Sequence, residues 1–168
     1  MKNVLLLASV ASMIQQFNTR NIELLLEMGY KVEVACNFEQ GNTCAEEQIE
    51  LLKKELENKG VAWHQIDFAR NVFCIAQNFK AYQQLRQLFR HNTYTFVHCH
   101  SPIGGVLGRI IAHSCKIKTI YTAHGFHFFK GAPLKNWLMF YPVEKMLSYD
   151  TDELLVINRE DYELARKK

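Results

Sequence analysis

The sequence predicts an α/β fold, a doubly wound and mainly parallel six-stranded sheet with helices on both faces. Three observations support this. Short apolar runs rich in β-branched and aromatic residues recur along the chain, and segments with helical apolar spacing separate them. Glycines stand where two of those helices should stop. At 168 residues and 48% hydrophobic content the chain suits one well-packed domain, taken as residues 1–168, and is short for two.

The strand-like runs are residues 3–8, 31–36, 61–66, 96–100, 119–123 and 153–157. The opening "MKNVLLLASVASM" resembles a secretory leader in its lysine, apolar run and small residues. The run is short, however, carries one charge and leads straight into a helix-like pattern, so it reads as the first strand. The segment 18–28 places Ile22, Leu25 and Leu26 on one face and stops at Gly29; 45–59 carries Ile49, Leu52 and Leu56 on one stripe and ends at Gly60. A third helix, 76–91, presents Phe79, Tyr82, Leu85 and Leu88 at near-threefold spacing. The fourth, 102–115, begins at Pro102, which suits a first helical turn, and 134–148 and 159–167 complete the set. Two connections, "DFARNVFCI" and "HGFHFFKGAP", are longer than a parallel sheet requires, and long loops in small domains tend to carry function.

Composition narrows the classes. A net charge of +3 with 22% charged residues gives no footprint for nucleic acid. Five cysteines without a CxxC pair fit free thiols in a reducing compartment. No window approaches the ~20 apolar residues needed to span a bilayer.

In open parallel sheets ligands bind beyond the carboxyl ends of the strands. Here that rim collects residues 9–12, 37–43, 67–71, 100–105 and 124–129, and Asn158. "HCHSPIGGVLG" places His98 and His100 on one strand face and Cys99 on the other. Its glycines, Gly104, Gly105 and Gly108, permit either an anion site at a helix start or tight helix–sheet packing. Only part of a dinucleotide fingerprint is present. His124, one residue past a strand end and followed by Gly125, is placed to hydrogen-bond a sugar or phosphate; the competing reading is a buried histidine bonded to backbone. His98, His100, His124 and His127 together form a candidate zinc set for a metal-dependent hydrolase, although acidic partners for them are scarce. "FHFFKGAPLKNWLMFYP" mixes aromatic and basic residues, which suits either core packing or contact with a lipid surface through Phe128, Phe129, Lys130, Lys135 and Trp137.

Taken in order, "NIELLLEMGYKVEVACNF", Arg70-Asn71, "VHCHSPIGGVLGRIIA", "TIYTAHGFHFFKGAP" and "EKMLSYDTDELLVINREDYELA" closely resemble the N-terminal half of retaining family 4 glycosyltransferases. These enzymes pair two Rossmann-like domains in the GT-B fold. The likeness is strongest to the bacterial branch that builds capsular, exopolysaccharide and O-antigen units. The resemblance implies that His124 is the catalytic-site histidine facing donor sugar and acceptor. It implies an acceptor side formed by Ser9, Ser12, Gln16, Arg70, His100, Ser101, Gly104, Gly105 and Phe126. It further implies a UDP- or GDP-sugar co-substrate, no metal, a lipid-linked glycan acceptor, and a cytoplasmic location, peripheral on the inner face of the membrane. Many relatives carry a Gly-Gly pair after the first strand, where this chain has "SVASM", so contact to donor phosphates there is not expected. The donor-binding motifs of the family's C-terminal domain do not follow Lys168. That domain is therefore expected on a missing part of the chain or on a separate one, with this fragment inactive alone; a non-catalytic subunit docking on a donor-binding chain is the remaining alternative.

Overall fold

The computed structural model describes residues 2–100 and 102–167. Six strands form one sheet: β1 (Asn3–Val10), β2 (Lys31–Asn37), β3 (Ala62–Gln65), β4 (Phe96–His100), β5 (Lys118–Ala123) and β6 (Glu153–Val156). Their order is β3-β2-β1-β4-β5-β6 and every pairing is parallel. The helices are α1 (Ala11–Phe17), α2 (Thr19–Glu27), α3 (Glu46–Asn58), α4 (Ile75–His91), α5 (Pro102–Ser114), α6 (Leu134–Leu147) and α7 (Arg159–Lys167).

The winding direction reverses between β1 and β4, which opens a crevice beyond their carboxyl ends. Both faces of β1 are covered, so alternation is absent and the strand reads as one apolar run. Leu5 and Leu7 join Cys99, Tyr121 and Leu85 of α4 in one core; Leu6 and Ala8 join Val34, Ile14 and Leu52 in the other.

The structure departs from the sequence reading after β1. Residues 9 and 10 extend the strand, and 11–17 form a separate short helix ahead of the one expected at 18–28. Asn18, fully buried and with φ −120°, breaks this helix from α2 while its amide donates to the Met13 carbonyl. Seven residues give too few turns for a period to show in sequence. Among the described residues no helix is long and apolar enough to cross a membrane.

Candidate functional site

The even positions of β4 place His98 and His100 on the face covered by α1 and α2, as a two-residue period requires. Their rings pack at a tilt of 41° with centroids 4.1 Å apart, and the His98 Nε2 lies 2.8 Å from the Thr122 hydroxyl of β5. His124 follows β5 and extends the row: its Nε2 lies 3.2 Å from the Nδ1 of His100, and its ring packs at a tilt on Phe17 at 4.9 Å between centroids. Gly125, at φ +123°, then turns the chain in a conformation that side-chain-bearing residues rarely adopt. Burial, and then the neighbouring imidazoles, push His98 down to about 4 and His100 to about 2. Burial also lowers His124, which stays half-buried and is the member of the row nearest solvent. The three rings are thus held neutral at ordinary pH, able to donate or accept a hydrogen bond but carrying no charge.

Beside this row of imidazoles, a cavity of about 670 Å³ opens at the carboxyl ends of the strands. Ser9, Ser12, Gln16 and Arg70, four residues expected to serve one acceptor, all line it. Ser9 accepts from the Gly104 amide at 3.0 Å, and the Ser12 hydroxyl accepts from the Thr43 amide at 3.3 Å. The β2–α3 loop is locked to α1 by Asn42, whose Oδ1 accepts from the Ser12 amide at 3.0 Å. Sequence reasoning placed residues 37–43 on the rim but gave Asn42 and Thr43 no role; no spacing rule announces a side-chain contact across 30 residues. Arg70 and Gln16 stay exposed, so a cation and an amide face the opening. His124 does not line this cavity, but Phe17, against which its ring packs, directly follows Gln16, which does.

Other expected site residues are placed differently. His100 is 1% exposed, so its ring supports His124 and does not itself meet an acceptor. Gly104 and Gly105 serve packing: a Cβ on Gly104 would stand 3.1 Å from the β1 backbone, and one on Gly105 would strike the Tyr121 ring at 2.5 Å. Phe126 stacks on Phe128 at 4.8 Å and lines a second cavity next to the first. Ser101 lies outside the described residues. His127 leaves the histidine row and packs on Phe140 at 4.5 Å, which breaks up the four-histidine zinc set. Among the described residues no group of three or more His, Cys, Asp or Glu is placed to hold a metal ion. Phe128, expected at a lipid surface, is 4% exposed within an aromatic cluster with Trp137 and Tyr141.

Two buried charge networks escaped the sequence reading. Arg109, 1% exposed on apolar α5, pairs with Glu144 of α6 at 2.9 Å and lies 3.9 Å above the Tyr121 ring. Glu33 of β2 is buried among Tyr94, His64 and Lys31. Burial pushes its carboxyl up, but hydrogen bonds from Tyr94, His64 and Lys31 outweigh this and leave it below the ordinary value. An isolated charge within an apolar segment was the available signal for each.

Comparison with known proteins places this arrangement. The model of the family described as glycosyl transferase 4-like matches residues 3–158. EpsD of Bacillus subtilis (strain 168), a glycosyltransferase by inference, is 39% identical over 168 residues, 98% of this chain and 40% of its own length. An Escherichia coli UDP-Gal:alpha-D-GlcNAc-diphosphoundecaprenol alpha-1,3-galactosyltransferase is 26% identical over 163 residues, 96% of this chain and 39% of its own. The chain therefore spans about 40% of the length of these relatives. Among solved structures, Staphylococcus aureus MnaA with UDP superposes with a TM-score of 0.66 at 13% identity, over 100% of this chain and 43% of that one. Sucrose-phosphate synthase from Thermosynechococcus elongatus gives 0.65 at 11% identity, over 99% and 45%. Acinetobacter baumannii MurG gives 0.58 at 13%, over 95% and 42%. At such identities the likeness concerns the fold, the N-terminal Rossmann-like half of the GT-B architecture. With a family model that covers nearly its whole length and a 39% identical relative, the chain belongs to the glycosyl transferase 4-like family.

Proposed function

We propose that this chain is the acceptor-binding domain of a glycosyltransferase that moves a sugar from a nucleotide-sugar to a polyprenyl-diphosphate-linked surface glycan, with retention of configuration. One observation carries the reading: the cavity at the strand ends gathers Ser9, Ser12, Gln16 and Arg70, and on its largely apolar wall the exposed Arg70 and Gln16 offer a guanidinium and an amide suited to a phosphate and a sugar hydroxyl. The E. coli relative's name, with its UDP-sugar and diphosphoundecaprenol-linked GlcNAc, supports both substrate classes. The donor is held by a domain outside this chain, and closure of the two excludes water and aligns the acceptor hydroxyl with the anomeric carbon.

In this reading the departing diphosphate takes the acceptor proton, and neutral His124 supplies a hydrogen bond at the reaction centre, held in place by His100 and Phe17. Basic groups and helix amides carry the leaving charge, and no metal is required. The enzyme works in the cytoplasm, peripheral on the inner face of the membrane. With Phe128 buried, the membrane contact passes to Phe129, Leu134 and Leu138, 43%, 73% and 70% exposed, flanked by Lys130 and Lys135.

The test is transfer of labelled sugar onto a lipid-diphosphate-linked GlcNAc by the full-length enzyme. His124→Ala is expected to lose at least a hundredfold in kcat with an unchanged circular dichroism spectrum, as for removal of a hydrogen-bond donor at a reaction centre. Arg70→Ala should raise the acceptor KM and leave the donor KM unchanged. Near-wild-type turnover by His124→Ala refutes the assigned role.

A further inference from the structure

We infer that a third cavity, enclosed by α5, α6, β6 and α7, is a binding site for a small neutral aromatic amide, held at its inner end by the Arg109–Glu144 pair. The inference is independent of the acceptor reading. The cavity measures about 290 Å³. Lys145, Ser148, Asp152, Leu154 and Ala165, all exposed, form its mouth, whereas Arg109, 1% exposed, stands at its inner end.

One nitrogen at that inner end requires an explanation. Arg109 spends Nε on the Gly105 carbonyl at 2.9 Å and Nη1 on Glu144 at 2.9 Å. Its Nη2 is buried and has no hydrogen-bond partner among the described residues. Buried polar groups are bonded in the great majority of cases, and a charged one left unbonded is the costliest kind. Since Arg109 lines the cavity and its other two nitrogens are committed, Nη2 is the group left to receive an acceptor atom there.

The neighbours decide what carries that acceptor. Arg109 and Lys145 on the wall are balanced by Glu144 and Asp152, so no net charge draws in an ion. A phosphate or carboxylate would meet both carboxylates, and a hydrocarbon would leave Nη2 unbonded. The Glu144 oxygens each take one hydrogen bond, Oε1 from the Tyr121 hydroxyl and Oε2 from Arg109, out of a carboxylate capacity of about four. A donor with an accepting carboxylate at its side is complemented by a carbonyl next to an N–H, the edge of a carboxamide or lactam.

The remaining wall fixes the body of the ligand. Phe126 and Phe128, stacked at 4.8 Å, line the cavity with Leu154 and Leu164, and Tyr141 stands edge-on to Phe128 at 5.5 Å. Such a wall suits a flat ring. Water alone fits it poorly, because one molecule would satisfy Nη2 and the apolar wall would leave others short of partners. Phe126 and Glu144 also border the second, apolar cavity, so a ligand seated here touches the loop that leaves His124.

The experiment uses the full-length protein with labelled Leu, Val, Met and Thr methyl groups, followed by NMR. Thr151, Leu154 and Leu164 report on this cavity, Val143 on the second and Val10 and Met13 on the first. Benzamide is expected to shift the first group and to bind at least tenfold more tightly than toluene or benzoate, about the worth of one hydrogen bond to a charged group. The lactam of a nucleobase presents the same edge, and 1-methyluracil distinguishes that source: tighter binding than benzamide names a nucleobase, weaker binding a simple amide, and both support the site. Ala165→Trp fills the mouth from α7 without touching the ion pair and should weaken benzamide at least tenfold at an unchanged urea midpoint. Arg109→Lys keeps a cation for Glu144 but removes Nη2, and should bring benzamide down to the affinity of toluene. The probe series and Ala165→Trp decide the matter even where Arg109→Lys fails to fold. Shifts confined to Val143, Val10 and Met13, or none at the solubility limit of benzamide, overturn the site. Toluene or benzoate equal to benzamide, or an Ala165→Trp variant that binds as its parent does, overturns it as well.

Discussion

The buried histidine row makes folding stability depend on pH in a window that few other groups share. His98 and His100 titrate near 4 and 2 in the folded chain, against 6.5 when solvated, because burial and then neighbouring imidazoles disfavour the charged ring. Both folded values are depressed, so between them and pH 6.5 the unfolded chain binds more protons and stability falls as pH falls. At pH 5 each histidine favours the unfolded state by about 2 kcal/mol relative to pH 8, about 4 kcal/mol for the pair, with a smaller contribution of the same sign from His124. The carboxylates with lowered values, Glu23, Glu33 and Asp67, lose their contribution only as pH falls through and below the ordinary carboxylate values of 4.5 for Glu and 3.8 for Asp, outside this interval. Urea unfolding at pH 8 and pH 5 therefore isolates the imidazoles. With an m-value of about 2 kcal/mol per M, the midpoint should drop by about 2 M. His98→Gln retains a polar group for Thr122 and should halve the difference. A loss under about 1 kcal/mol between the two pH values, or a His98→Gln variant with the parent's full pH dependence, refutes the claim that these rings are held neutral.

Breaking the Arg109–Glu144 pair by Glu144→Gln leaves a 1% exposed guanidinium without its countercharge and should cost about 3–5 kcal/mol, read as a loss of urea midpoint at constant m. Gly108→Ala places a methyl 2.5 Å from both the Cys99 sulfur and a Leu7 methyl, and should destabilise by about 1–3 kcal/mol through displacement of α5 from the sheet. A neutral result in thermal unfolding would mean that α5 packs less tightly against β1 and β4 than described.

The fold was legible because its strands are short and separated by amphipathic segments, and because β1, buried on both faces, is a near-continuous apolar run. Boundaries followed wherever a glycine marked a helix end, as at Gly29 and Gly60, which have φ of +81° and +69°. The short α1 left no such mark. Its residues 11, 12 and 14 are buried by their place above the sheet, a property of the assembled structure and not of any local period.

The site was legible only in part, for a related reason. Position along a strand tells which face a side chain takes, and this correctly paired His98 with His100. It does not tell how deep the side chain lies. His100 and Gly104 sit on the expected rim yet are spent inside it, one supporting His124 and the other bringing α5 against β1. The same blindness applies to Phe126 and Phe128, two positions apart in one loop: the first lines the apolar cavity and the second closes an aromatic cluster behind it. Depth is set by which helix covers which strand, and α6 in particular fixes it here. That helix buries Phe128, pairs Arg109 and walls the second cavity, while its own pattern, apolar on nearly every side and interrupted by Pro142, points to no single face. A helix apolar on most sides yet exposed at Leu134 and Leu138 is only partly covered by the described residues, so its burial could not be read from its own sequence.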